Sequence, residues 1–404
     1  MHIVLFEDHL TGENRPLTLP RPAFGVSVAA TRLFEAARSY ATGVSAIVRP
    51  YLAALAKESF ELAALPRNDV LLVNASLAPS FELLDQLTKE AKEGDFIAKA
   101  DSRVAAAYFK SAPKGLAEQD AQGITAFLAS QQARQIQHAL PLIGLPCDVI
   151  RYHQKFFGEN MKRLTEGLVE FQPGVFTGRD VKIHPSAVFD THDGPIVLRD
   201  NVTVGPFAFL IGPVMVDHHT KIIERATIKE QLQIGHHCKI GGEVECSIFE
   251  PYTNKQHHGF LGHGYVGSWV NVGAGTSNSD LKNTYGEVSM VHRGRKVATG
   301  MQFMGCIIGD YSKTAINTSI FTGKVVGVSS YLYGFIGTNV PSFTNYARTF
   351  GQITEFVLES AIKTQGRMFG RRNFEQTPTM VKLMEDMYEL TRDERLMSTE
   401  QVAL

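Results

Sequence analysis

The stretch LRDNVTVGPFAFLIGPVMVDHHTKIIERATIKEQLQIGHHCKIGGEVE, from Leu198 to Glu245, has a large aliphatic residue at every sixth position without interruption. Neither a helix nor a half-buried strand produces this spacing, because their apolar periods are about 3.6 and 2 residues. A strict period of six is typical of a hexapeptide-repeat parallel β-helix, in which each hexad forms one side of a triangular coil. The large residues are predicted to fill the interior, and small residues four positions later let the chain turn. The aliphatic positions are Leu198, Val204, Leu210, Val216, Ile222, Ile228, Ile234 and Ile240.

The repeat extends beyond this stretch, and we predict a left-handed β-helix over residues 172–335. Its register is interrupted twice, over Cys246–Gly259 and over Asn278–Met301. A regular coil needs no insertions to be stable. We therefore predict that both interruptions are loops that project from the coil and carry function.

Residues 1–165 alternate short apolar runs with helical patterns, which predicts a doubly wound α/β domain. The runs Ile3–Phe6, Ala46–Val48 and Val70–Val73 suit buried parallel strands. A helix is predicted to begin after Ser80, which is a suitable N-cap.

Three polar residues follow the predicted strands of this domain. Glu7 and Asp8 come directly after the first strand, and Asn74 follows the third. Sheets of this kind bind ligands at the carboxyl ends of their strands. The sequence therefore predicts a ligand crevice beside these residues.

The last segment, residues 346–404, predicts two helices that pack on the end of the coil or on a neighbouring subunit. Phe350 and Ile353 open the apolar spacing of the first helix. Thr377 is a suitable N-cap for the second, because proline occupies the first helical position after it.

Composition indicates a globular protein that handles small molecules. The chain has 404 residues, 44% hydrophobic residues and a net charge of −1, so nothing favours a nucleic-acid or membrane partner. The first residues, Met1–Asp8, lack the basic and apolar regions of a signal peptide. The four cysteines form no CxxC pair, and we predict a cytoplasmic location.

A group of motifs gives the repeat a family resemblance. Asn254–His263 reads NKQHHGFLGH, Gly273–Thr276 reads GAGT, and an asparagine-containing loop follows to Asn283. These motifs resemble the acetyltransferase half of the bifunctional N-acetylglucosamine-1-phosphate uridyltransferase/glucosamine-1-phosphate acetyltransferases, especially their divergent bacterial sugar nucleotidyltransferase-like branch. The resemblance implies amino-sugar nucleotide (UDP-N-acetylglucosamine) synthesis, acetyl-CoA as acetyl donor and a homotrimer.

The resemblance also implies roles for individual residues. Counting back from Phe260-Leu-Gly262 gives His257 as the general base that deprotonates an amino sugar, with His258 one position away. Phe260 replaces an aromatic hydroxyl of the family, which removes one expected polar contact. The remaining residues implied are Asn271, Lys255 and Lys282 for the sugar phosphate or coenzyme phosphate, and Ala274 and Gly275 for the acetyl-CoA arm.

The amino-terminal domain lacks the glycine-rich phosphate loop of sugar nucleotidyltransferases. Arg15 and Arg21 are predicted to bind the phosphates of UTP in its place, since guanidinium groups grip phosphate in bidentate fashion. Asn74 stands where a metal-binding aspartate is usual, and Asp8 is the predicted ligand of Mg²⁺ if the domain is active. A domain that only binds nucleotide or acts as a scaffold is the alternative.

A histidine column offers a different interpretation of the β-helix. Asp200, His218 and His236 are each separated by three hexads, which predicts a ladder on one outer corner at the strand spacing of about 4.8 Å. Such groups are zinc ligands, and carbonic anhydrases of the gamma class use the same coil. The two alternatives to acetyl transfer are thus a metal-dependent carbonic anhydrase-like enzyme and a non-catalytic assembly protein.

Overall fold

The computed structural model describes residues 1–396, which divide into two compact units between Pro146 and Cys147. The helix that follows this division, Asp148–Leu164, therefore belongs to the second unit. Residues 397–404, the end of the predicted carboxy-terminal segment, lie outside the described residues.

The first unit is a six-stranded mixed sheet with four α-helices. The sheet order is β4-β1-β5-β7-β6-β8, and β2 and β3 form a separate hairpin. The strands are β1 (His2–Phe6), β2 (Ser27–Val28), β3 (Thr31–Arg32), β4 (Val44–Ile47), β5 (Asn68–Asn74), β6 (Phe96–Ala100), β7 (Arg103–Ser111) and β8 (Arg134–Ile136). The helices are α1 (Leu33–Arg38), α2 (Ala53–Ser59), α3 (Phe81–Lys92) and α4 (Ile124–Ala129).

The three apolar runs predicted as strands are confirmed as β1, β4 and β5, and they pair in parallel. Their side chains form the core of the unit, because the apolar residues of β1 and β5 are fully buried. Ser80 caps α3 as predicted, and its Oγ accepts a hydrogen bond from the Leu83 amide at 3.2 Å. The alternation of strands and helices did not predict β7, which runs antiparallel to β5 and to β6.

The second unit begins with α5 (Asp148–Leu164) and then forms the predicted parallel β-helix. Its coils up to the second interruption contain β9 (Val169–Gln172), β10 (Val175–Thr177), β11 (Lys182–Ile183), β12 (Val188–Asp190), β13 (Ile196–Leu198), β14 (Thr203–Val204), β15 (Phe209–Ile211), β16 (Val214–Val216), β17 (Lys221–Ile222), β18 (Thr227–Ile228), β19 (Leu232–Ile234), β20 (Lys239–Ile240), β21 (Glu243–Glu245), β22 (Ile248–Phe249), β23 (Asn254–Lys255), β24 (Phe260–Gly262), β25 (Tyr265–Val266) and β26 (Ser277–Asn278).

The remaining strands and helices complete the unit. They are β27 (Ser289–His292), β28 (Arg295–Ala298), β29 (Ile307–Ile308), β30 (Lys313–Thr314), β31 (Ser319–Ile320), β32 (Val325–Val326), β33 (Tyr331–Leu332), β34 (Phe335–Ile336), β35 (Thr344–Ala347), β36 (Gln352–Glu355), α6 (Leu358–Gly370), α7 (Pro378–Leu390) and α8 (Arg392–Leu396).

The hexad register is confirmed from Leu198 to Ile240. Strands of successive coils pair in parallel, so that Val204 faces Ile222 and Ile222 faces Ile240. All eight aliphatic positions of the stretch 198–245 are at most 2% exposed and belong to one continuous core. Core residues of each coil therefore contact those of the coils before and after, as in other solenoids.

The first interruption is not a projecting loop, and that prediction was wrong. Cys246–Gly259 contains β22 and β23, which continue the parallel pairing with β19 and β20. Lys239 pairs with Asn254, 15 residues later, where Lys221 pairs with Lys239, 18 residues later. The chain is thus shortened by two residues between β20 and β21 and by one more between β21 and β22, and a strict count of six loses the register there.

The second interruption is an insertion, as predicted. Tyr265 pairs with Ile307, so the segment between them adds more than one coil length to the chain. Within it, β27 and β28 form an antiparallel hairpin.

The ends of the coil series carry antiparallel strands. At one end β9 pairs antiparallel with β10, and at the other β36 pairs antiparallel with β35. Ile353 lies in β36 of this second hairpin, and Phe350 lies in the turn before it. The predicted helix over these two residues is therefore wrong, because α6 begins only at Leu358. Thr377 caps α7 as predicted, since its Oγ1 accepts from the Met380 amide at 3.3 Å. No helix within residues 1–396 combines the length and apolar composition needed to cross a membrane.

Candidate functional site

The corner between β23 and β24 carries the predicted base. His257 and His258 are both exposed there, in the four-residue turn that ends at Gly259. Gly259 adopts a φ of 121°, which only glycine tolerates readily, and its carbonyl helps to close the turn. The imidazole of His257 is therefore presented to solvent three residues before Phe260.

The next coil places the predicted coenzyme residues on the same corner. The Gly275 amide donates to the His258 carbonyl at 3.0 Å, and the Asn317 amide donates to the Ala274 carbonyl at 2.7 Å. Gly275 has a φ of 75°, and a methyl group on it would collide with Asn317 Oδ1 and lie 3.3 Å from His258 Nε2. The structure thus brings His258 and Gly275 together on adjacent coils, and His257 and Ala274 are their neighbours in the chain.

Lys255 is placed inside this corner and not in solvent. Its side chain is about 1% exposed, and its Nζ donates to the carbonyls of Gly241 at 2.8 Å, Gly259 at 2.7 Å and His257 at 3.3 Å. Burial lowers the pKa of Lys255 to about 8. All three hydrogen bonds of the Lys255 ammonium go to backbone carbonyls, and they hold the turn that presents His257. The structure therefore does not place Lys255 as the substrate-binding residue that the sequence predicted.

The two other residues predicted to meet the substrate lie apart from that lysine. Asn271 is exposed, forms β-bridges to Asn254 and Lys313, and lines a cavity of about 420 Å³. Lys282 lies in the insertion, where its Nζ donates to the Glu287 carbonyl at 3.0 Å. The structure therefore places Asn271 on an open face of the coil and Lys282 within the inserted segment.

A buried ion pair next to β24 was not predicted. His263 Nδ1 lies 2.9 Å from Asp280 Oδ2 and 3.9 Å from Glu245 Oε1. Burial alone would lower the pKa of His263, but its hydrogen bonds to Asp280 and Cys246 outweigh burial and raise the pKa to about 10. The three residues come from different coils, so no local sequence pattern could have joined them.

This pair predicts a pH-dependent stability. Because folding raises the His263 pKa above its ordinary value, the protonated pair stabilises the fold fully below about pH 6.5, and the contribution is lost as pH rises through about 10. His263→Gln should therefore lower the melting temperature most at pH 6 to 7 and progressively less towards pH 10. Calorimetric melts of both proteins across this range measure the difference. A difference that is constant with pH would contradict the assignment.

The predicted histidine ladder forms, but without its carboxylate. The rings of His218 and His236 stack with centroids 4.7 Å apart, which matches the predicted strand spacing. Asp200 instead pairs with Arg179, whose Nε and Nη2 both donate to Asp200 Oδ2, at 2.9 and 2.6 Å. The carboxylate beside His218 is Asp217, whose Oδ1 lies 2.9 Å from Nδ1. The predicted ladder of Asp200, His218 and His236 is therefore wrong in its carboxylate. The structure has two stacked imidazoles with Asp217 beside His218.

In the first unit, the structure brings Asp8 and Asn74 together as predicted. Asn74 Nδ2 donates to Asp8 Oδ2 at 2.8 Å. Asp8 also accepts two hydrogen bonds from Arg103, from Nε at 2.7 Å and Nη2 at 2.9 Å. Burial would raise the pKa of Asp8, but Arg103, Asn74 and Thr11 together hold it below its ordinary value. The buried Arg103 guanidinium already supplies a positive charge to both oxygens of Asp8. These residues therefore do not fit a Mg²⁺ ion at Asp8.

Glu7 anchors the segment that carries Arg15 and Arg21. Its carboxylate is fully buried and receives two side-chain hydrogen bonds from Arg49, at 2.9 and 3.0 Å. The same guanidinium donates to the Thr18 carbonyl at 2.6 Å, and the Ala23 amide donates to Glu7 at 2.9 Å. The arginine-bearing segment is therefore fixed to the carboxyl end of β1. Arg49 and Arg103 were not predicted, because no motif marks them.

Comparison with known proteins confirms the predicted relationship. Residues 3–169 match the family model described as sugar nucleotidyl transferase. The bifunctional sugar-1-phosphate nucleotidylyltransferase/acetyltransferase of Sulfurisphaera tokodaii is 30% identical over 97 residues, which cover 24% of each chain. The bifunctional protein GlmU of Thermotoga maritima is 28% identical over 155 residues, covering 38% of this chain and 28% of GlmU. The matches thus span about a quarter of the length of these two relatives.

A solved structure of Francisella novicida UDP-N-acetylglucosamine acyltransferase also aligns, with a TM-score of 0.27 and 15% identity over 58% of this chain and 81% of that one. Similarity at this level supports no conclusion about activity. By its name, the Sulfurisphaera tokodaii relative joins a nucleotidylyltransferase to an acetyltransferase, so neither the carbonic anhydrase-like interpretation nor the assembly protein is favoured.

Proposed function

We propose that the β-helix transfers an acetyl group from acetyl-CoA to the amine of a hexosamine phosphate. The observation that carries this proposal is the corner at which His258 lies against Gly275 of the next coil, with His257 and Ala274 as their neighbours in the chain. A base and an unobstructed stretch of backbone are what such a transfer needs, one relative's name gives a sugar 1-phosphate, and the motif resemblance gives the amino sugar.

The chemistry follows from the placement of the side chain. The His257 imidazole takes a proton from the amino sugar, and the freed nitrogen attacks the thioester carbonyl of acetyl-CoA. Collapse of the tetrahedral intermediate forms the amide and releases the coenzyme A thiol. Lys255 acts as a positioning residue, since it binds the His257 carbonyl from inside the coil.

Assay of the purified protein with acetyl-CoA and glucosamine 1-phosphate tests the proposal. We expect thiol release, detected with a chromogenic disulfide, that depends on the amine. Thiol release at the same rate with and without the amino sugar would contradict transfer to this substrate class.

We propose nucleotidyl transfer from UTP as the activity of the region 1–165. Its support is the family match over residues 3–169 and the anchoring of the segment that carries Arg15 and Arg21. Because Arg103 neutralises Asp8, the phosphates are held by arginine side chains, and no step is assigned to a metal at Asp8. A domain of this kind supplies the nucleotide half of the two-step synthesis of an amino-sugar nucleotide.

Arg21→Ala is expected to abolish UTP binding and to leave acetyl transfer unchanged, because the two sites lie in separate units. Titration calorimetry with UTP measures the first effect, and the thiol assay measures the second. Arg38→Ala is the matched control, since Arg38 is an exposed arginine of the same unit that pairs with Glu61. Absence of heat with the wild-type protein at millimolar UTP would show that the domain is a scaffold.

We also propose that the protein is a cytoplasmic homotrimer with functional regions 1–165, 172–335 and 346–404. The trimer is supported by the resemblance, because the acetyltransferase sites of that family lie between adjacent coils. The cytoplasm is supported by the cysteines, which are all free and buried. Cell fractionation tests the location, and the mass in solution tests the assembly, as described in the Discussion.

A further inference from the structure

The second unit contains a cationic pocket, which no predicted role accounts for. The pocket has a volume of about 420 Å³ and lies between one face of the β-helix and the end of α6. A volume of this size is in the range of small-molecule sites. The cations that line it are Lys239, Lys313, Arg367, Arg371 and Arg372.

The coil wall of the pocket is a row of equivalent positions on successive coils. Lys239 pairs with Asn254, which bridges to Asn271, which bridges to Lys313. Equivalent residues of neighbouring strands are spaced by about 4.8 Å, so these polar groups form one continuous strip. The strip offers an ammonium group at each end and two amides between them.

The helix wall is fixed against this strip. Arg372 Nη2 donates to Asn254 Oδ1 at 2.7 Å. Below it, Trp269 packs on Phe369 with ring centroids 4.5 Å apart, and on Tyr252 with centroids 4.2 Å apart and nearly parallel planes. The guanidinium groups at the end of α6 are therefore held over the coil by both a hydrogen bond and aromatic packing.

The charges of the pocket are unbalanced. Within residues 1–396, none of the five cations forms an ion pair with a carboxylate, and the lining includes no acidic residue. Burial, Arg372, Lys221 and Arg371 lower the pKa of Lys239. Burial also lowers the pKa of Lys313 to about 8. Bringing like charges together costs free energy, which an anionic ligand would recover.

We propose that this pocket binds a small molecule through a diphosphate group. Diphosphate is favoured because arginine forks bind phosphate oxygens in bidentate fashion, and two linked phosphates match cations on two facing walls. Both faces of the Tyr252 ring are covered, by His237 and by Trp269, so recognition depends on the phosphates and not on stacking of a base. The site shares Asn271 with the proposed acetyl transfer but does not depend on that reaction.

Trp269 gives a direct readout, because it is the only tryptophan of the chain and it lines the pocket. We expect inorganic pyrophosphate to change its fluorescence in a saturable way, with an affinity that falls as salt concentration rises. The double variant Lys239→Gln/Arg371→Gln, which removes one cation from each wall, should bind at least about tenfold more weakly. Lys363→Gln is the control, because Lys363 lies on the same helix outside the pocket and pairs with Glu359.

The source of the diphosphate is identified by comparing coenzyme A with a nucleoside diphosphate in the same titration. The ligand that binds more tightly is the source of the diphosphate group, and the double variant should weaken the binding of both ligands. His257→Ala should abolish acetyl transfer and leave pyrophosphate binding unchanged, which separates this proposal from the proposed reaction. The proposal is overturned if millimolar pyrophosphate gives neither a fluorescence change nor calorimetric heat, or if the double variant binds as tightly as Lys363→Gln.

Discussion

His257→Ala is expected to lower the rate of acetyl transfer by about 10²–10⁴-fold, the usual contribution of a general base. The loss should appear in kcat, because the side chain removes a proton during the reaction and does not hold the substrate. Folding should be unchanged, since the side chain is exposed and the turn is held through its backbone by Lys255. Steady-state kinetics with the thiol assay and a thermal melt measure the two effects.

His258→Ala is the matched control for this variant. The two histidines are adjacent and both exposed, but it is the His258 carbonyl that accepts from the Gly275 amide. We expect only a small effect on kcat, because truncating the side chain leaves that backbone contact in place. Normal turnover of His257→Ala together with a large loss in His258→Ala would move the base by one residue.

Ile222→Asp is expected to unfold the β-helix or to dissociate its trimer. Ile222 lies in the interior of the coil and is 2% exposed, so the variant loses apolar packing and buries an unpaired carboxylate. A loss of about 4–5 kcal/mol or more is the range for such changes, which is comparable to the whole stability of many domains. Circular dichroism melts and light scattering measure folding and mass.

Lys221→Asp is the control, because it introduces the same carboxylate one position away. Lys221 is exposed on the outer face of the same strand, since successive strand residues point to opposite sides. We expect this variant to melt close to the wild-type temperature.

Light scattering of the wild-type protein should give three times the 44.5 kDa chain mass, and a monomer mass would refute the trimer.

The β-helix could be predicted almost entirely from its sequence, because each interior position makes the same demand on the side chain. From Leu198 to Ile240 every hexad has one large aliphatic residue inside, and Lys255, which pairs with Ile240, is a polar exception held by backbone carbonyls. The prediction failed at Cys246–Gly259, because the corners on the two sides of β21 are together three residues shorter and the strands still pair. A count of residues cannot separate a shortened corner from an inserted loop.

The polar contacts could not be predicted, because they join residues that are distant in sequence. Arg103 reaches Asp8 across 95 positions, and the pair changes a predicted metal ligand into one half of a buried ion pair. Lys255 appeared suited to a substrate phosphate, but its neighbours in the folded coil are backbone carbonyls. The residue type shows that a side chain carries a charge, but only the folded structure shows which groups bind that charge.

The two antiparallel strands that close the coil series have a consequence for self-association. A parallel β-helix presents open strand edges at its ends, and a second copy could extend it by adding rungs in the same direction. Here β9 reverses the direction at one end and β36 reverses it at the other. At the β36 end, the α8 residue Glu394 also accepts hydrogen bonds from the amide and hydroxyl of Ser342. An incoming copy therefore meets a reversed strand on one side of the coil at each end, which disfavours continuation of the parallel rungs on that side.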